Sequence, residues 1–211
     1  MFGGNMKFCA IVVIAAVCGC AKTPPPGPDT GGTDKKQETT NSMGYGAEVI
    51  ADTPKGAEPG MLYMNVYAKM YKHHFPNGYV DQDTFWGRVY KVLSPGERAI
   101  LLANELFGEF HNGGFEQYFS NGNYEHAHET VRLLRRVGDN RAADFLQKAV
   151  QIARIPDPLP PGYEYEGSDE IGAALEKLEK ENRPADYKAR PLSGMEAALD
   201  DYIRQHPEEF K

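Results

Sequence analysis

The sequence predicts an all-α fold of about six to eight helices for residues 61–211. Apolar side chains recur there at three- and four-residue spacing, which is the pattern of a helix with one buried face. Capping residues, glycines and prolines stand where these stretches should begin and end. No segment shows sustained alternation of apolar and polar residues beside hairpin turn residues, so strands are not expected.

Helical spacing first appears in two stretches that are rich in aromatic residues. They contain Tyr63, Tyr67, Met70, Tyr71 and His74, and then Phe85, Trp86, Val89 and Tyr90. Ser94 and Glu97 next form a capping box with Pro95 at the first helical position, which predicts the start of a long helix. The buried stripe expected for that helix consists of Ala99, Ala103, Leu106, Phe107 and Phe110.

The remaining helices are predicted by the same start and stop signals. Gly138 is placed to end one helix, and Asp139 to cap the next. Ser168 precedes a third, and Ser193 with Glu196 forms a second capping box before the last. The side chains expected to point inward are Ala127, Val131, Leu134 and Val137, then Ala142, Leu146, Ala149, Val150 and Ala153, then Ile171, Ala174, Leu175 and Leu178, and finally Leu199, Tyr202 and Ile203.

The amino terminus resembles a bacterial lipoprotein signal. Lys7 precedes the run 8–20, in which an apolar core of about ten residues is followed by small residues and Cys20. Polar residues and prolines follow at once. A permanent membrane span needs about 20 apolar residues, so cleavage is the better interpretation. Residues 17–20, VCGC, are similar to a lipobox, in which the signal, here residues 1–19, is removed and the terminal cysteine thiol is diacylated. An ordinary signal or an uncleaved anchor is the alternative.

Lipidation of Cys20 would account for all the cysteines of the chain. Cys9 and Cys18 would leave with the signal, so no thiol would remain for a disulfide. Several acyl chains, at about 0.8 kcal/mol per buried methylene, make a stable anchor. Ala21 follows the cysteine, which resembles sorting to the outer membrane in a Gram-negative host. The expected location is therefore the bacterial cell envelope, with the membrane contacted through the lipid.

Residues 20–60 are predicted to be a disordered tether. They are rich in proline, glycine and threonine and contain almost no aliphatic side chains, so they cannot bury enough apolar surface to offset the entropy lost on ordering. A flexible chain of this length reaches about 35 Å. The globular domain is therefore expected at residues 61–211, at the end of a spacer.

The most distinctive block is HNGGFEQYFSN at residues 111–121. Gly113 and Gly114 tolerate backbone angles that other residues avoid, so they are expected to end a helix and turn the chain. The aromatic residues after them are expected to pack on the core: Phe115, Tyr118 and Phe119. The polar residues are expected to hydrogen-bond backbone groups of the turn: Asn112, Gln117 and Asn121. Contact with a ligand or partner is the alternative role.

This block resembles the DMP19-like family, also called DUF4375, which is named after a bacterial DNA-mimic protein. The resemblance covers roughly residues 85–211 and returns in HPEEF at residues 206–210. It rests on Leu93, Ser94, Glu97, Arg98, Glu105, Asn112, Gly113, Gly114, Phe115, Gln117, Tyr118, Phe119 and Asn121. It implies an all-helical fold, in agreement with the fold predicted from helical spacing.

The resemblance also implies DNA mimicry, in which surface carboxylates imitate phosphates and engage a DNA-binding protein. An exported lipoprotein would not meet a transcription factor, so we expect instead a module that binds another protein at the envelope. An immunity or antitoxin-like protein that neutralises an incoming effector is a more specific form of this hypothesis. Translation from Met43 would give a cytoplasmic product, for which DNA mimicry would regain weight.

Negative charge is concentrated in the last third of the chain. Residues 157–211 contain 14 acidic and 7 basic side chains, which accounts for the whole formal net charge of −7. Solvated helix faces commonly carry such runs. The alternative is an acidic surface for a protein partner, and its candidate residues are Glu164, Glu166, Asp169, Glu170, Glu176, Glu179, Asp200 and Asp201.

An enzyme is the alternative of a different class. The six histidines show no zinc-binding spacing, and the chain has no glycine-rich phosphate loop. Glu109, His111 and Glu116 flank the glycine turn and are the candidates for an acid, a base or a metal ligand. An acidic domain also lacks the basic field that nucleic acid requires, so an exposed helix face is expected for Arg132, Arg135 and Arg136. We therefore expect no enzymatic activity, cofactor, metal or direct nucleic-acid binding, and we leave homodimerisation open.

Overall fold

The computed structural model describes residues 45–75, 88–182, 192 and 194–211. Within these ranges all regular secondary structure is helical, which confirms the predicted all-α class. The α-helices are α1 Tyr45–Asp52, α2 Met61–His74, α3 Tyr90–Val92, α4 Pro95–Ser120, α5 Ala127–Arg136, α6 Asn140–Ile152, α7 Asp169–Glu181 and α8 Met195–Gln205. Two 3-10 turns accompany them, at Asn123–His126 and Pro207–Glu209.

Helix α4 is the central element of the domain. It packs against α2, α5, α7 and α8, while α5 packs against α6 and α6 against α7. Ile100 and Leu106 of α4 are completely buried, as expected for a helix that is covered on several sides. No helix in the described part of the chain combines the length and the apolarity that a membrane crossing requires.

The predicted helix boundaries are confirmed where the capping residues are described. Ser94 Oγ accepts a hydrogen bond of 3.1 Å from the Glu97 N–H, and the Ser94 N–H donates to Glu97 Oε2 at 2.8 Å, which completes the capping box. Asp139 and Ser168 accept hydrogen bonds from the N–H groups three residues further on. Gly138 ends α5 with a φ of 90°. Phe85, Trp86 and Ser193 lie outside the described residues.

The predicted inward stripes are largely confirmed. The expected core residues of α5 and α6 are buried, as are those of α8. Phe107 and Phe110 of α4, and Ile171 of α7, are only partly buried, although they pack against the core. Ala174 of α7 is also only partly buried. Helical spacing therefore identified the correct faces, and the helix ends supplied the correct limits.

The tether prediction differs from the structure over its last part, because residues 45–52 form α1. Val49 is only 4% exposed, and the Gly46 N–H donates a hydrogen bond of 3.0 Å to the Phe210 carbonyl oxygen. A Cβ at Gly46 would lie 2.7 Å from the Pro207 carbonyl oxygen, so glycine is what permits this close approach. The folded domain therefore begins near Tyr45. Cys20 and the rest of the predicted signal and tether lie outside the described residues.

Candidate functional site

The two glycines of the distinctive block interrupt α4, as predicted. Gly113 has φ −163° and ψ 19°, and Gly114 has φ 76° and ψ −165°, so neither is helical although helix continues on both sides. The positive φ of Gly114 favours glycine. A Cβ at Gly114 would also lie 2.5 Å from Glu179 Oε1 of α7. Backbone conformation and close packing therefore both require a glycine at this position.

The aromatic residues after the glycines pack into the core, which confirms that prediction. Phe115, Tyr118 and Phe119 are at most 1% exposed. The Phe115 ring lies 4.7 Å from the ring of Phe145 on α6, between centroids. The Tyr118 hydroxyl lies 3.3 Å from Thr130 Oγ1 of α5, and burial raises the pKa of Tyr118. This part of the block therefore joins α4 to α5 and α6.

The polar residues of the block behave differently from the prediction. The side-chain amides of Gln117 and Asn121 do not bind the turn backbone; both donate to Glu109 Oε2, at 2.7 Å each. The reason is the burial of Glu109, which is only 5% exposed and therefore needs donors to replace water. Asn112 is exposed. The helical turns on the two sides of the glycines are thus joined through one buried carboxylate.

A second carboxyl, that of Glu105, lies one helical turn before Glu109. Its pKa is raised to about 7, first because burial removes water from the carboxylate and then because Glu109 lies nearby. On α2, the Tyr63 hydroxyl donates to Asn104 Oδ1 at 2.9 Å, and burial raises the pKa of Tyr67. We call Glu105, Glu109, Gln117 and Asn121 the carboxylate cluster. Within it, Glu105 is the group positioned to exchange a proton near neutral pH.

The comparison with protein families identifies the chain. A family model described as DMP19-like protein matches residues 91–206, which is more than half of the sequence. The chain belongs to the DMP19-like protein family. The match extends from α3 to the end of α8 and includes the whole carboxylate cluster. No curated protein and no solved structure matches the chain significantly.

A second group of residues from the DMP19-like resemblance meets at the start of α4. We call this the hook: the carboxyl-terminal segment 206–210 folds against the capping box. Ser94 Oγ donates a hydrogen bond to the Glu209 carbonyl oxygen, and Phe210 is completely buried. Glu209 also accepts hydrogen bonds from the Tyr202 hydroxyl, at 2.8 Å, and from Arg136. The hook therefore links the residues that follow α8 to the central helix α4.

Glu97 connects the hook to α1 and α2, which precede the part of the chain that the family model matches. Its side chain is only 3% exposed. The Tyr45 hydroxyl of α1 donates to Glu97 Oε1 at 2.5 Å, and His74 Nε2 of α2 lies 3.1 Å from the same oxygen. Burial and the Glu97 carboxylate raise the pKa of Tyr45. A single buried carboxylate thus holds the start of the folded domain in place.

The structure separates the eight candidate acidic surface residues of this DMP19-like chain into two groups. Asp200 is only 4% exposed and accepts hydrogen bonds from the N–H groups of Gly60, at 2.9 Å, and Tyr63, at 2.7 Å. Glu179 accepts a hydrogen bond of 2.8 Å from the Phe115 N–H. Both side chains support helix ends, so they do not belong to a free acidic surface. The reason is that each helix start leaves backbone donors without partners, and these carboxylates supply acceptors.

The other six candidate acids are exposed. Glu176 pairs with Lys180 at 2.6 Å, and Asp201 with Arg204 at 3.3 Å. The remaining four lie just before α7 and in its first turn, and we call them the acidic ridge: Glu164, Glu166, Asp169 and Glu170. Of these, Glu170 pairs with Arg154 at 3.7 Å.

Partly buried and exposed residues alternate over 163–166, as in extended chain, and this segment forms the first half of the acidic ridge. The rings of Tyr163 and Tyr165 face Tyr124, with centroid distances of 5.7 and 6.3 Å. The alternate residues Glu164 and Glu166 are exposed and form no ion pair with residues that the structure describes. Side chains two residues apart in extended chain point the same way, about 6.6 Å apart. The tyrosines therefore anchor the segment and leave the carboxylates in solvent.

The enzyme candidates are not brought together by the DMP19-like fold. His111 Nδ1 lies 2.6 Å from the Phe107 carbonyl oxygen, Glu109 binds two amides, and Glu116 is exposed. Among residues with described positions, one set of three potential metal ligands has its atoms within 4.8 Å of one another: His206, Glu208 and Glu209. Glu209 already accepts hydrogen bonds from Tyr202 and Arg136, so this set is part of the hook.

The arginines of α5 line an exposed helix face, as predicted. Each has an acidic neighbour: Arg132 pairs with Asp157 at 3.0 Å, Arg135 with Asp144 at 3.3 Å, and Arg136 with Glu209. These pairs connect α5 to the loop after α6, to α6 itself and to the hook. Sequence spacing identified the exposed face, but it did not reveal these partners.

Proposed function

We propose that this chain is a lipid-anchored protein of the bacterial cell envelope, whose DMP19-like domain binds another protein through the acidic ridge. The observation that carries the anchor is the apolar run ending in VCGC at residues 17–20, followed directly by polar tether sequence. The fold adds a revised length for the tether. Between Cys20 and α1 there are 24 residues, which gives a flexible reach of about 27 Å.

The ridge fits a partner with a basic surface. Its four carboxylates are exposed, and the packing of Tyr163 and Tyr165 on Tyr124 holds the segment that carries two of them in place. Charge complementarity of this kind mainly accelerates association and sets specificity, and salt weakens it. The proposal assigns no catalytic role to the domain, and it places the partner at the same membrane.

The anchor is tested by labelling growing cells with an alkyne fatty acid. We expect wild-type protein to be labelled and a Cys20→Ser variant to lose the label. Cys18→Ser, two residues earlier, is the matched control and should keep it. Equal labelling of the Cys20→Ser variant would refute the proposed acylation site.

The binding surface is tested by crosslinking in intact cells. The Glu164→Gln and Glu166→Gln double variant neutralises the part of the ridge that lies outside a helix. Glu176→Gln with Glu181→Gln is the control, because it removes the same charge from α7, where both residues pair with lysines. We expect a specific crosslinked species that the first variant loses and the control retains. No specific species, or equal loss in both variants, would contradict the role of the ridge.

The position of α1 favours a second candidate function. The folded domain begins at Tyr45, so translation from Met43 would leave every described helix intact. Such a cytoplasmic product could present the same ridge as a DNA mimic or as an immunity protein. Immunoblots of membrane and soluble fractions distinguish the two products by size. A Met43→Leu variant that abolishes a short soluble form would support this second function, whereas the absence of that form in wild-type cells would exclude it.

A further inference from the structure

An open depression lies between α6 and the carboxyl end of α7. Its volume is about 310 Å³, and it is lined by Arg141, Asp144, Phe145, Lys148 and Asn182. Phe145 is only 5% exposed and contacts Phe110 at 5.6 Å and Phe115 at 4.7 Å, between ring centroids. The aromatic residues around the glycine turn therefore support one side of this depression.

The depression is positively charged, although the chain as a whole is acidic. Arg141 and Lys148 are exposed and lie two turns apart on α6, which is about 10 Å along the axis. Neither forms an ion pair with residues in the described ranges. Asp144 lies between them, but its Oδ1 is 3.3 Å from Arg135 Nη2, so its charge is balanced from the other side. With two cations and one carboxylate that is shared with Arg135, the depression carries a net positive charge.

The donors in the depression differ in kind and complement one another. A guanidinium presents a planar fork that matches phosphate oxygens, whereas an ammonium acts as a mobile point charge. The Asn182 amide donates one hydrogen bond to the Leu178 carbonyl oxygen at 2.7 Å, and an amide nitrogen carries a second hydrogen. The Arg141 guanidinium, the Lys148 ammonium and the Asn182 amide are together suited to bind an oxyanion with several acceptor atoms.

We propose that this depression binds a phosphate group through Arg141 and Lys148. A soluble phosphate ester and the headgroup of an anionic phospholipid share this chemistry. The proposal is independent of the acidic ridge and of the partner that the ridge binds. A purely structural role is the competing account, because cations near the carboxyl end of α7 would also stabilise that helix end. The two accounts differ in whether phosphate binds.

The test is calorimetric titration of the full-length protein in neutral detergent at constant ionic strength. The ionic strength is held constant because salt screens exposed charges, and each probe is added to about 10 mM. The probes are inorganic phosphate, glycerol 3-phosphate and dihexanoyl phosphatidylglycerol. We expect saturable binding of at least one probe. Tighter binding of the first two would identify a soluble ester as the source, and tighter binding of the lipid would identify the headgroup. The absence of saturable binding with all three would overturn the proposal.

Variants connect binding to the residues named. Arg141→Gln with Lys148→Gln should weaken binding by at least about tenfold, because charge-assisted hydrogen bonds are lost. Arg132→Gln, an exposed arginine on α5 that pairs with Asp157, is the control and should bind as wild type does. Asp144→Asn should tighten binding by about two- to fivefold, since it removes the carboxylate between the cations. Because unfolding would weaken binding, a gain of affinity in Asp144→Asn cannot be attributed to loss of structure. Unchanged affinity in the double variant, or weaker binding by Asp144→Asn, would contradict the assignment.

Discussion

The carboxylate of Glu179 accepts a hydrogen bond of 2.8 Å from the backbone N–H of Phe115, 64 positions earlier in the chain. The contact lies where Gly114 breaks α4 and the helix starts again, so an acid from α7 caps a helix start inside α4. This hydrogen bond also explains why the Glu179 carboxylate lies so close to Gly114, which has no Cβ. The acidic last third of the sequence therefore contributes to the fold as well as to the surface.

Substitution of Gly114 tests this close approach. Gly114→Ala should lower the free energy of unfolding by about 2–4 kcal/mol, because φ is positive and the new Cβ would meet Glu179. Gly108→Ala is the matched control, since a Cβ there meets no atom within 4 Å. In the interior of α4 it should raise stability by about 0.5–1 kcal/mol. Urea unfolding measures both, and similar effects of the two variants would contradict the turn geometry.

The buried carboxylate of Glu109 should be more important for stability than a surface acid. Glu109→Ala leaves the amides of Gln117 and Asn121 without their acceptor and should cost about 2–4 kcal/mol in chemical denaturation. Glu125→Ala removes an exposed glutamate and should change stability by at most about 0.5 kcal/mol. A mild effect at Glu109 would mean that its carboxylate is not the acceptor that Gln117 and Asn121 require.

Two adjacent aspartates provide an internally controlled test on α8. Asp200 accepts from two backbone N–H groups at the start of α2, so Asp200→Ala should cost about 2–3 kcal/mol. Asp201 is exposed and pairs with Arg204, so Asp201→Ala should cost at most about 0.5 kcal/mol. Thermal unfolding distinguishes them. If Asp201→Ala is the more harmful change, the assignment of Asp200 to the helix cap is wrong.

Glu105 should make stability fall as the pH rises. Its pKa is about 7 in the folded protein and 4.5 in the reference state, so the folded state binds more protons between these values. Stability is therefore lost from about pH 4.5 upward and levels off above pH 7, with a total change of about 3 kcal/mol. Burial lowers the pKa of His126. Below the ordinary pKa of histidine, this residue therefore makes stability rise with pH, which is opposite to the effect of Glu105.

The difference between Glu105→Gln and wild type isolates the contribution of Glu105. Both proteins retain His126, so its slope cancels in the comparison. Denaturant unfolding at pH 5 and at pH 8 should show Glu105→Gln to be about as stable as wild type at pH 5 and more stable at pH 8. A difference that is independent of pH would indicate that Glu105 is ionised throughout this range.

Local signals were sufficient to predict much of this fold. The Ser94 capping box and the end of α5 at Gly138 depend on residues within a few positions of each other, and both were predicted correctly. The glycine turn was also predicted, because two adjacent glycines are unfavourable inside a helix. The inward faces were also predicted from local signals, because the spacing of apolar residues within a helix determines which of its faces is apolar.

Contacts between distant parts of the chain could not be predicted from local signals. The two backbone N–H groups that bind Asp200 lie 137 and 140 positions away in the chain. Sequence spacing therefore could not distinguish Asp200 from the exposed Asp201. Helix α1 was missed because its burial depends on the hook, through Gly46 and Phe210. Glu109 did give a signal: it lies three residues after Leu106 on the inward face of α4, where a charged residue requires a partner.

Mass spectrometry of the native amino terminus tests the central proposal most directly. The protein should be isolated from membranes of its own host and digested, and its first peptide analysed. We predict that this peptide begins at Cys20 and carries the added mass of a diacylglyceryl group, with or without a third acyl chain. A native protein that begins at Met1 or Met43, or at an unmodified residue after Cys20, would contradict the lipid anchor.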